Sequence, residues 1–551
     1  MKLVIVGGVA GGASAAARAR RLSETAEILI VERGPDVSFA NCGLPYYVGG
    51  TIADRQKLLV ATPEFLRKRF RLDVRTRSEV RSIDREQHTV TIADLEEQRE
   101  YTVPYDKLIL APGAAAIRPP LPGIDLPGIH VLRNLQDMDR IKGNLQEGVH
   151  QAVVVGAGFI GLELVENLLE LGVETTLVEL QNQILPPLDR ELTSPLLQEL
   201  RRRGVKVILG DAVSAFESSP DGLSVQLKSG GSLPAQMAIL GIGVRSENQL
   251  AVAAGLSVGP RGGIQVDEFL RTSDPDVFAV GDAIETREVV FGQPTQVPLA
   301  GPANRQGRIA AENALGGEQK FRGVQCTAIL GCCGITAAVT GMGEKLLQQR
   351  GVDYRTVTIH PQHHAGYYPG AEQMTLKALF EPQSGRLLGA QGTGGAGVDK
   401  RIDVLAVAIQ AGMTIYDLEQ MELAYAPQFG SAKDPVNMLG FVAAGLLCGD
   451  HPQIRAQELS EYLSANQFVV LDVRTPPEFD QAHVPNAINI PVDELRDRLS
   501  ELSRGTSFVT YCQVGMRGYL ATRILLQAGF DVRNLSGGFR SWQQYTYQEF
   551  T

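Results

Sequence analysis

The sequence predicts an α/β protein, because an apolar strand, a glycine-rich turn, a helix and a second apolar strand follow one another at two separate places. Residues 2–6 lead into the turn Gly7-Gly8-Val9-Ala10-Gly11-Gly12, and residues 152–155 lead into Gly156-Ala157-Gly158-Phe159-Ile160-Gly161. This order is the dinucleotide-binding unit of the Rossmann fold, in which backbone N–H groups of the turn and a helix N-terminus meet a pyrophosphate. Two Rossmann-like domains are therefore expected.

The first unit is predicted to bind FAD. Its helix is expected over residues 13–22 and its second strand over 28–31, so that Glu32 stands where a carboxylate accepts hydrogen bonds from a ribose. Val9 replaces the middle glycine of GxGxxG, so the flanking strands and Glu32 support the prediction instead. A strand that ends in a small-residue turn at 108–114 and a strand at 272–282 that ends in Gly281-Asp282 fit the same domain, since Asp282 can hold a ribityl hydroxyl. The predicted FAD-binding residues are Gly7, Gly8, Val9, Ala10, Gly12, Glu32, Arg33, Ala111, Gly113, Gly281 and Asp282.

The second unit has a complete GxGxxG and is predicted to bind the nicotinamide cofactor. A helix is expected over 162–171 and a strand over 175–178, which ends at Glu179. A carboxylate there accepts from a ribose 2′-hydroxyl and repels a 2′-phosphate, so NADH is preferred and NADPH stays possible. Residues 240–245 close this domain. The predicted nicotinamide-binding residues are Gly156, Gly158, Phe159, Ile160, Gly161, Glu179 and Gly243.

One cysteine follows the first unit, within Val37-Ser38-Phe39-Ala40-Asn41-Cys42-Gly43-Leu44-Pro45-Tyr46. A flavoenzyme that reduces its own disulfide needs two neighbouring cysteines, and this stretch offers one. We therefore expect the second sulfur to come from the substrate, with Cys42 forming a mixed disulfide or persulfide with a small thiol. The alternative is a buried structural cysteine, which is the usual role of a lone cysteine.

Composition narrows the class of protein. The chain has 551 residues and a formal net charge of -10, which argues against broad nucleic-acid binding. No apolar run is as long as a membrane span, and the N-terminal residues lack the pattern of a signal peptide, so we expect a cytoplasmic protein. The 6 cysteines are scattered and none has CxxC spacing, so neither a disulfide framework nor a zinc site is expected.

Residues 1 to about 445 resemble the pyridine-nucleotide disulfide oxidoreductases, and within their single-cysteine branch the coenzyme A disulfide reductases. The resemblance rests on residues 38–47, on Tyr367-Tyr368-Pro369-Gly370, on 399–404, and on Tyr425-Ala426-Pro427 with Lys433-Asp434. It implies a homodimer in which Tyr367 and Tyr425 face the reactive cysteine of the partner subunit. It also implies a coenzyme A site formed by Ser14, Arg18, Arg21, Ser38, Asn41 and Lys433.

The same branch contains NADH oxidases and NADH peroxidases, which carry a histidine inside the first glycine loop. This chain has Ala10 at the matching position. The resemblance therefore implies that oxygen or peroxide is not the main substrate, although an oxidase or peroxidase stays open as the alternative.

The C-terminal part has its own α/β pattern, with strands expected at 468–474, 487–491 and 507–511. Cys512 stands between the last strand and a helix, where backbone N–H groups, the helix dipole and Arg517 would stabilise a persulfide anion. The region resembles a rhodanese domain, with supporting marks at 472–474, 477–479 and 537–539. Its loop residues would be Gln513, Gly515 and Arg517. The alternative is an inactive docking module in a redox sensor.

The expected domains are an FAD-binding domain over 1–115 and 241–319, an NAD(P)H-binding domain over 116–240, a dimerisation domain over 320–445, a linker over 446–458 and a rhodanese domain over 459–551. The pair Cys332-Cys333 departs from the family, which has an aromatic-rich strand there, and could hold an extra redox pair.

Together with the residues above, the two resemblances imply an NADH-dependent flavoenzyme that reduces coenzyme A disulfide, coenzyme A persulfide or polysulfide through Cys42. Cys512 would take sulfur from an external donor and pass it to coenzyme A or to Cys42. The sequence leaves open which of the three substrates is the physiological one and how sulfur would travel between the two cysteines.

Overall fold

The structure is a computed structural model that describes residues 1–465 and 468–547. Its strands are β1 (Lys2–Val6), β2 (Glu27–Val31), β3 (Asp73–Arg75), β4 (Ser78–Asp84), β5 (Thr89–Asp94), β6 (Arg99–Pro104), β7 (Lys107–Leu110), β8 (Ala114–Ala116), β9 (Ile129–Val131), β10 (Gln151–Val155), β11 (Glu174–Glu179), β12 (Lys206–Leu209), β13 (Val213–Ser219), β14 (Gly222–Leu227), β15 (Ser232–Ala235), β16 (Met237–Leu240), β17 (Val244–Ser246), β18 (Ile264–Gln265), β19 (Val277–Ala279), β20 (Ile284–Arg287), β21 (Pro294–Thr295), β22 (Ala328–Cys332), β23 (Ile335–Gly341), β24 (Arg355–Ile359), β25 (Met374–Phe380), β26 (Leu387–Gly394), β27 (Gln453–Ile454), β28 (Val469–Asp472), β29 (Ile488–Asn489), β30 (Ser507–Tyr511) and β31 (Asp531–Leu535).

The helices are α1 (Ala10–Leu22), α2 (Leu44–Val48), α3 (Pro63–Phe70), α4 (Leu135–Gln146), α5 (Phe159–Glu170), α6 (Arg190–Arg202), α7 (Gln249–Ala253), α8 (Ala300–Ala314), α9 (Glu344–Gln349), α10 (Val398–Gln410), α11 (Ile415–Gln420), α12 (Pro435–Leu447), α13 (Ala456–Ala465), α14 (Pro476–Gln481), α15 (Met516–Gln527) and α16 (Gly538–Thr546). In the part of the chain that the structure describes, no helix has the length and apolar character needed to cross a bilayer.

The first compact unit comprises residues 1–182 and 205–324 and contains two parallel five-stranded sheets, in the orders β19-β7-β1-β2-β3 and β12-β11-β10-β16-β9. Their central strands β1 and β10 are almost wholly buried, as expected for parallel strands covered on both faces. The predicted strands at 2–6, 28–31, 152–155 and 175–178 are all present. The helices begin at Ala10 and Phe159, three residues before the predicted starts, because the end of each glycine turn is already helical.

The two glycine turns obey the same steric rule. A Cβ atom on Gly12 would lie 1.9 Å from the carbonyl oxygen of Gly7, and a Cβ atom on Gly161 would lie 1.9 Å from that of Gly156. Each helix therefore starts in direct contact with the end of its strand. The segment predicted at 240–245 is divided: β16 ends at Leu240, and β17 pairs in antiparallel fashion with β8.

The second compact unit comprises residues 183–204 and 325–551. Its first sheet is antiparallel, in the order β22-β23-β26-β25-β24, and every residue of β25 and β26 is buried. The hairpin between β22 and β23 turns at Cys333-Gly334, whose φ angles are 54° and 79°. Two positive φ angles in a two-residue loop are the signature of a type I′ turn, so the unusual cysteine pair occupies a tight hairpin. The sulfur atoms of Cys332 and Cys333 are 3.9 Å apart, beyond the roughly 2.05 Å of a disulfide bond.

The last sheet is wholly parallel, in the order β27-β31-β30-β28-β29. Strand β27 belongs to it, so this domain begins inside the segment 446–458 that we predicted to be a linker, and α13 also begins there. The strand forms because Gln453 and Ile454 pair with β31, a contact between distant residues that local composition does not reveal. Of the predicted domain 459–551, residues 466–467 and 548–551 lie outside the described residues.

A polar contact joins this last domain to the antiparallel sheet. The ring of His360 lies fully buried between Thr375 Oγ1 on β25 and Ser541 Oγ on α16, each at 2.9 Å. The amide of Gln544 also donates to Thr375 Oγ1 at 3.1 Å, and the N–H of Thr358 donates to Ser536 Oγ at 3.2 Å. Burial lowers the pKa of His360 to about 3, so the ring is neutral at this interface.

This burial predicts a pH dependence of stability. The unfolded chain protonates this histidine below about pH 6.5, whereas the folded protein resists protonation until about pH 3, so stability is lost as the pH falls between these values. Replacing His360 by leucine should therefore lower the slope of unfolding free energy against pH by about 1.4 kcal/mol per pH unit. Urea unfolding at several acidic pH values measures this slope.

The matched control is His150→Leu, because the side chain of His150 is exposed. That variant should keep the wild-type slope. If His360→Leu kept it as well, the buried ring would not be the titrating group.

Candidate active sites

A cleft of 890 Å³ opens in the first unit, at the carboxyl ends of β1, β2, β7 and β19. Ligands bind at this edge of doubly wound sheets. The cleft is lined by nine of the residues predicted to bind FAD, namely Gly7, Val9, Ala10, Glu32, Arg33, Ala111, Gly113, Gly281 and Asp282. Gly8 and Gly12 are not among the lining residues, because they shape the turn behind it.

The two predicted ribose-binding carboxylates are held in the same way. Glu32 accepts hydrogen bonds from the N–H groups of Gly8 at 2.8 Å and Gly34 at 2.7 Å. Glu179 accepts from the N–H groups of Ala157 at 2.7 Å and Gln181 at 2.8 Å. Burial raises the pKa of Glu32, and the two N–H donors oppose that shift. Each glutamate is thereby fixed at the end of its second strand.

The residues present fit two dinucleotides. The first cleft has the volume, the backbone turn and the fixed carboxylate that FAD requires. At the second turn, Gly158 is the N-cap of α5, and a Cβ atom built on it would meet nothing within 4 Å. The space over this helix N-terminus is therefore open, as the approach of a pyrophosphate requires. Phe159 and Ile160 begin the helix beside it, and the carbonyl of Gly243 accepts from the N–H of Ile117 at 3.0 Å.

Cys42 lies on the wall of the first cleft. It is in the short 3₁₀ helix Asn41–Gly43, directly before α2, and it is an exposed free thiol that forms no disulfide with any described residue. Desolvation within the cleft raises the pKa of the thiol, the carboxylates of Glu163 and Asp282 raise it further, and Arg133 opposes them. The side chains around Cys42 therefore favour the protonated thiol.

Two of these neighbours were missed by the sequence analysis. Arg133 lines the cleft, donates from Nη2 to Asp282 at 2.7 Å, and accepts at its carbonyl from the Asn41 amide at 3.2 Å. Glu163 lies on α5, which packs against α2, and its carboxylate is 3.4 Å from the hydroxyl of Tyr46. Burial raises the pKa of Glu163 to about 7. The sequence did contain a signal for Glu163: it is a carboxylate two residues after Gly161, near the start of a helix whose preceding residues are apolar.

The residues expected at a coenzyme A site have varied surroundings. Asn41 lines the cleft beside Cys42, and the N–H of Ser38 donates to the carbonyl of Gly8 at 2.8 Å. On α1, Ser14 bonds to Asn304, and Arg18 forms an ion pair of 2.7 Å with Glu312, whereas Arg21 is exposed. Lys433 is exposed in the second unit. The positive charge of Arg18 is thus balanced by the carboxylate of Glu312 in this structure.

The two predicted tyrosines come together on the second unit. The hydroxyl groups of Tyr367 and Tyr425 are 2.9 Å apart, and this hydrogen bond raises the pKa of Tyr367. Both side chains are exposed, at 76% and 48%. The buried Arg401 holds their loops together, since its Nη2 donates to the carbonyl of His363 and to the carboxylate of Asp434, both at 2.8 Å.

Cys512 occupies the predicted place at the end of β30. It is a buried free thiol, and the N–H of Gly515 points at its sulfur from 3.2 Å. Arg517 donates from both terminal nitrogens to Glu478, at 2.8 and 2.6 Å. Gln513 accepts from Arg474 at 3.2 Å. The N–H of Phe539 donates to the carbonyl of Cys512 at 2.7 Å. Residues from the three segments that support the rhodanese resemblance, 472–474, 477–479 and 537–539, therefore contact the loop that begins at Cys512.

One further cluster of charged side chains surrounds the buried Lys377. Asp189, Glu191 and Glu344 have the spacing of metal ligands. Lys377, however, places its ammonium group 2.9 Å from Asp189 and 2.5 Å from Glu191, and it also contacts Glu344. Arg455 is a second cation, 2.7 Å from Glu344, so a lysine and an arginine occupy the positions that a metal ion would take among these carboxylates.

Comparison with known proteins agrees with this architecture. Residues 1–307 match the model of the pyridine nucleotide-disulphide oxidoreductase family, residues 328–435 match its dimerisation domain, and residues 455–545 match a rhodanese-like domain. A coenzyme A disulfide reductase from Staphylococcus haemolyticus is 35% identical over 447 residues, which cover 81% of this chain and 100% of the relative.

Two solved structures extend over nearly the whole chain. A reduced CoADR-RHD from Bacillus anthracis is 45% identical, with a TM-score of 0.97 over 99% of this chain and 98% of the other. A NAD-dependent persulfide reductase from A. fulgidus is 39% identical, with a TM-score of 0.93 over 98% of this chain and 100% of the other. The predicted α/β class and the predicted family resemblance are both confirmed.

With its two parallel sheets, the cleft at the carboxyl edge of the first of them and the family models that match most of its length, this chain belongs to the pyridine nucleotide-disulphide oxidoreductases, a family of FAD- and NAD(P)H-binding enzymes, and carries a rhodanese-like domain at its C-terminal end.

Proposed function

We propose that this chain is an NADH-dependent flavoenzyme that reduces coenzyme A disulfide, coenzyme A persulfide or polysulfide, and that its C-terminal domain transfers sulfane sulfur. The observation that carries the proposal is Cys42, a free thiol on the wall of the FAD-sized cleft. The similar proteins described above include a coenzyme A disulfide reductase and a persulfide reductase, which supports this substrate class.

The cofactors would occupy the two Rossmann turns. FAD, when bound, would accept a hydride from the nicotinamide and supply the electron pair that breaks a sulfur–sulfur bond. Glu32 and Glu179 would accept hydrogen bonds from the respective riboses. Because Glu179 is a fixed carboxylate rather than a cation, it would repel the 2′-phosphate of NADPH and favour NADH.

Cys42 would act as the nucleophile. Its thiolate attacks one sulfur of the substrate, forms a new sulfur–sulfur bond, and releases the other half as a thiolate or hydrosulfide. The electron pair from NADH then breaks the bond to Cys42 and releases the second thiol. For coenzyme A disulfide the sum is one NADH and one proton consumed and two thiols formed. Coenzyme A thus enters as substrate and product.

The tyrosine pair would supply protons in this reaction. A phenol can donate to a departing thiolate, and the hydrogen bond between Tyr367 and Tyr425 orients the two hydroxyl groups. The match to a dimerisation domain supports a homodimer, in which the exposed pair of one subunit would serve Cys42 of the other. Ser14, Arg18, Arg21, Ser38, Asn41 and Lys433 would hold coenzyme A, with its phosphates competing with Glu312 for Arg18.

The alternative activities have less support. An oxidase or peroxidase of this branch would need an acid–base group in the first glycine loop, and here the methyl group of Ala10 lines the cleft. A purely docking C-terminal domain would not need a thiol at the end of β30, whereas Cys512 has an N–H donor aimed at its sulfur.

The first prediction of this proposal concerns Cys42→Ser. This variant should lose reduction of coenzyme A disulfide and coenzyme A persulfide by roughly 10³-fold or more, because no sulfur remains to form the mixed disulfide. It should still bleach its flavin absorbance when NADH is added, because that step needs no thiol. Steady-state and stopped-flow absorbance measure the two steps. Cys448→Ser, which changes another exposed cysteine, is the control and should behave as wild type.

Retained turnover in Cys42→Ser would remove the basis of the proposal. Loss of both turnover and flavin bleaching would indicate a folding or cofactor defect instead, and visible absorbance of the purified protein distinguishes that case.

The second prediction concerns Glu163→Gln. Ionised Glu163 raises the pKa of Cys42, and since Glu163 itself has a pKa of about 7 it is ionised where the thiol titrates. Removing this charge should move the pH midpoint of Cys42 alkylation down by roughly 0.5 unit. Iodoacetamide rates against pH, with the Cys42 peptide quantified by mass spectrometry, measure the midpoint. Glu166→Gln on the same helix is the control, and an equal shift there would contradict the assignment.

The third prediction concerns Cys512→Ser. With thiosulfate as donor and cyanide as acceptor, sulfur transfer should fall by roughly 10²-fold or more, because the persulfide carrier is gone. Reduction of coenzyme A disulfide by NADH should stay near wild type. Cys42→Ser provides the reciprocal control, with sulfur transfer kept and reduction lost. Sulfur transfer that survived in Cys512→Ser would show that this domain is not the carrier.

A further inference from the structure

A buried histidine lies in the short segment between α12 and β27. The N–H of His451 donates to the carbonyl of Gly445 at 2.8 Å, and its ring packs on Tyr519 with 4.4 Å between centroids. Arg523 donates to the carbonyl of Asp450 at 2.8 Å and to its carboxylate at 3.0 Å. Tyr519 and Arg523 both belong to α15, the helix that begins in the Cys512 loop, so this segment is fastened to that helix.

The tautomer of this ring follows from its partner. The Asn534 amide nitrogen is 2.7 Å from His451 Nε2, and an amide nitrogen can only donate, so Nε2 accepts and the proton is on Nδ1. The Gln453 amide is 3.4 Å from Nδ1, and its oxygen is buried with no partner among the described residues. Exchanging the oxygen and nitrogen of that amide would give the oxygen the Nδ1–H. Burial, aided by Arg523, lowers the pKa of His451 to about 4, which keeps the ring an acceptor at neutral pH.

Asn534 connects His451 to the loop that carries Cys512 and Gly515. Its amide nitrogen also donates to the carbonyl of Gly515, at 3.2 Å. Gly515 has a φ of 105°, forms the N-cap of α15, and donates its own N–H to the sulfur of Cys512. Two acceptors, Nε2 and the Gly515 carbonyl, thus select one orientation of the amide. The oxygen of the Asn534 amide is buried with no partner among the described residues, so the amide is oriented only through its nitrogen.

We propose that His451 is a positioning residue for sulfur transfer: by accepting from Asn534 it fixes the carbonyl of Gly515, and so aims the Gly515 N–H at the sulfur of Cys512. The inference rests on the proposed role of Cys512 as the persulfide carrier. A persulfide is an anion, and a fixed N–H donor stabilises it, whereas a donor that can turn away stabilises it less. The histidine belongs to the connection that follows α12, so the loop is held by residues outside its own sequence.

The test uses the full-length holoenzyme with two substitutions at one position. His451→Gln keeps an acceptor near the place of Nε2, and His451→Leu removes it while filling similar space. His451→Leu should lower kcat for sulfur transfer from thiosulfate to cyanide by roughly 10-fold, with less than about a 2-fold change in KM for thiosulfate. His451→Gln should keep at least about half of the wild-type kcat. NADH-dependent reduction of coenzyme A disulfide should be retained in both.

A second readout separates positioning from packing. The rate of Cys512 alkylation by iodoacetamide at neutral pH, followed by mass spectrometry of its peptide, should fall by roughly 10-fold in His451→Leu and stay near wild type in His451→Gln, because the N–H donor that stabilises the sulfur anion is no longer fixed in the leucine variant. Equal behaviour of the two variants in both assays would overturn the proposal. If His451→Leu does not fold, Asn534→Leu is measured in its place, because it keeps a similar volume, adds no charge beside the thiol and cannot donate to Gly515, and it should show the same fall in rate. If the wild type transfers no sulfur, the proposed role of Cys512 fails, and the alkylation rates still decide whether His451 positions the loop.

Discussion

The close contact between a glycine and the end of its own strand is the constraint on which both nucleotide sites depend. Gly12 lies against the carbonyl of Gly7, and Gly161 lies against that of Gly156, at distances where any side chain would overlap the backbone. This contact forces each helix to start directly above the strand, which leaves its first N–H groups open to a ligand. The second strand then brings Glu32 or Glu179 to the same edge, where backbone N–H groups hold the carboxylate.

The parts of the fold that could be predicted from the sequence are those that consecutive residues determine. The turns, their strands and the two glutamates are encoded within about thirty residues each, as the βαβ unit requires. The same holds for Cys512, because a strand end and a helix start fix its surroundings locally. Cys42 was found because it stands alone in its stretch. The tyrosine pair followed from family resemblance, and no local pattern would have joined Tyr367 to Tyr425.

The remaining features depend on contacts between distant residues. Arg133 bonds to Asp282, about 150 residues further along the chain, and Arg18 pairs with Glu312, about 290 residues further along. Neither pairing leaves a local pattern in the sequence. Glu163 looks like an ordinary helix residue until α5 packs on α2. The strand β27 was mistaken for part of a linker because two residues show no periodicity of their own. Its partner β31 lies some 80 residues further along the chain.

The hydrogen bonds of His360 have a consequence for any attempt to remove or replace the C-terminal domain. Both ring nitrogens are hydrogen-bonded, one to Thr375 of the antiparallel sheet and one to Ser541 of the C-terminal domain, so a single buried side chain links the two. A polypeptide truncated after α12 would expose a histidine and a threonine that now satisfy each other and α16. Removing or exchanging the C-terminal domain would therefore require compensating substitutions at His360 and Thr375, which makes simple excision or grafting at this boundary a poor engineering route.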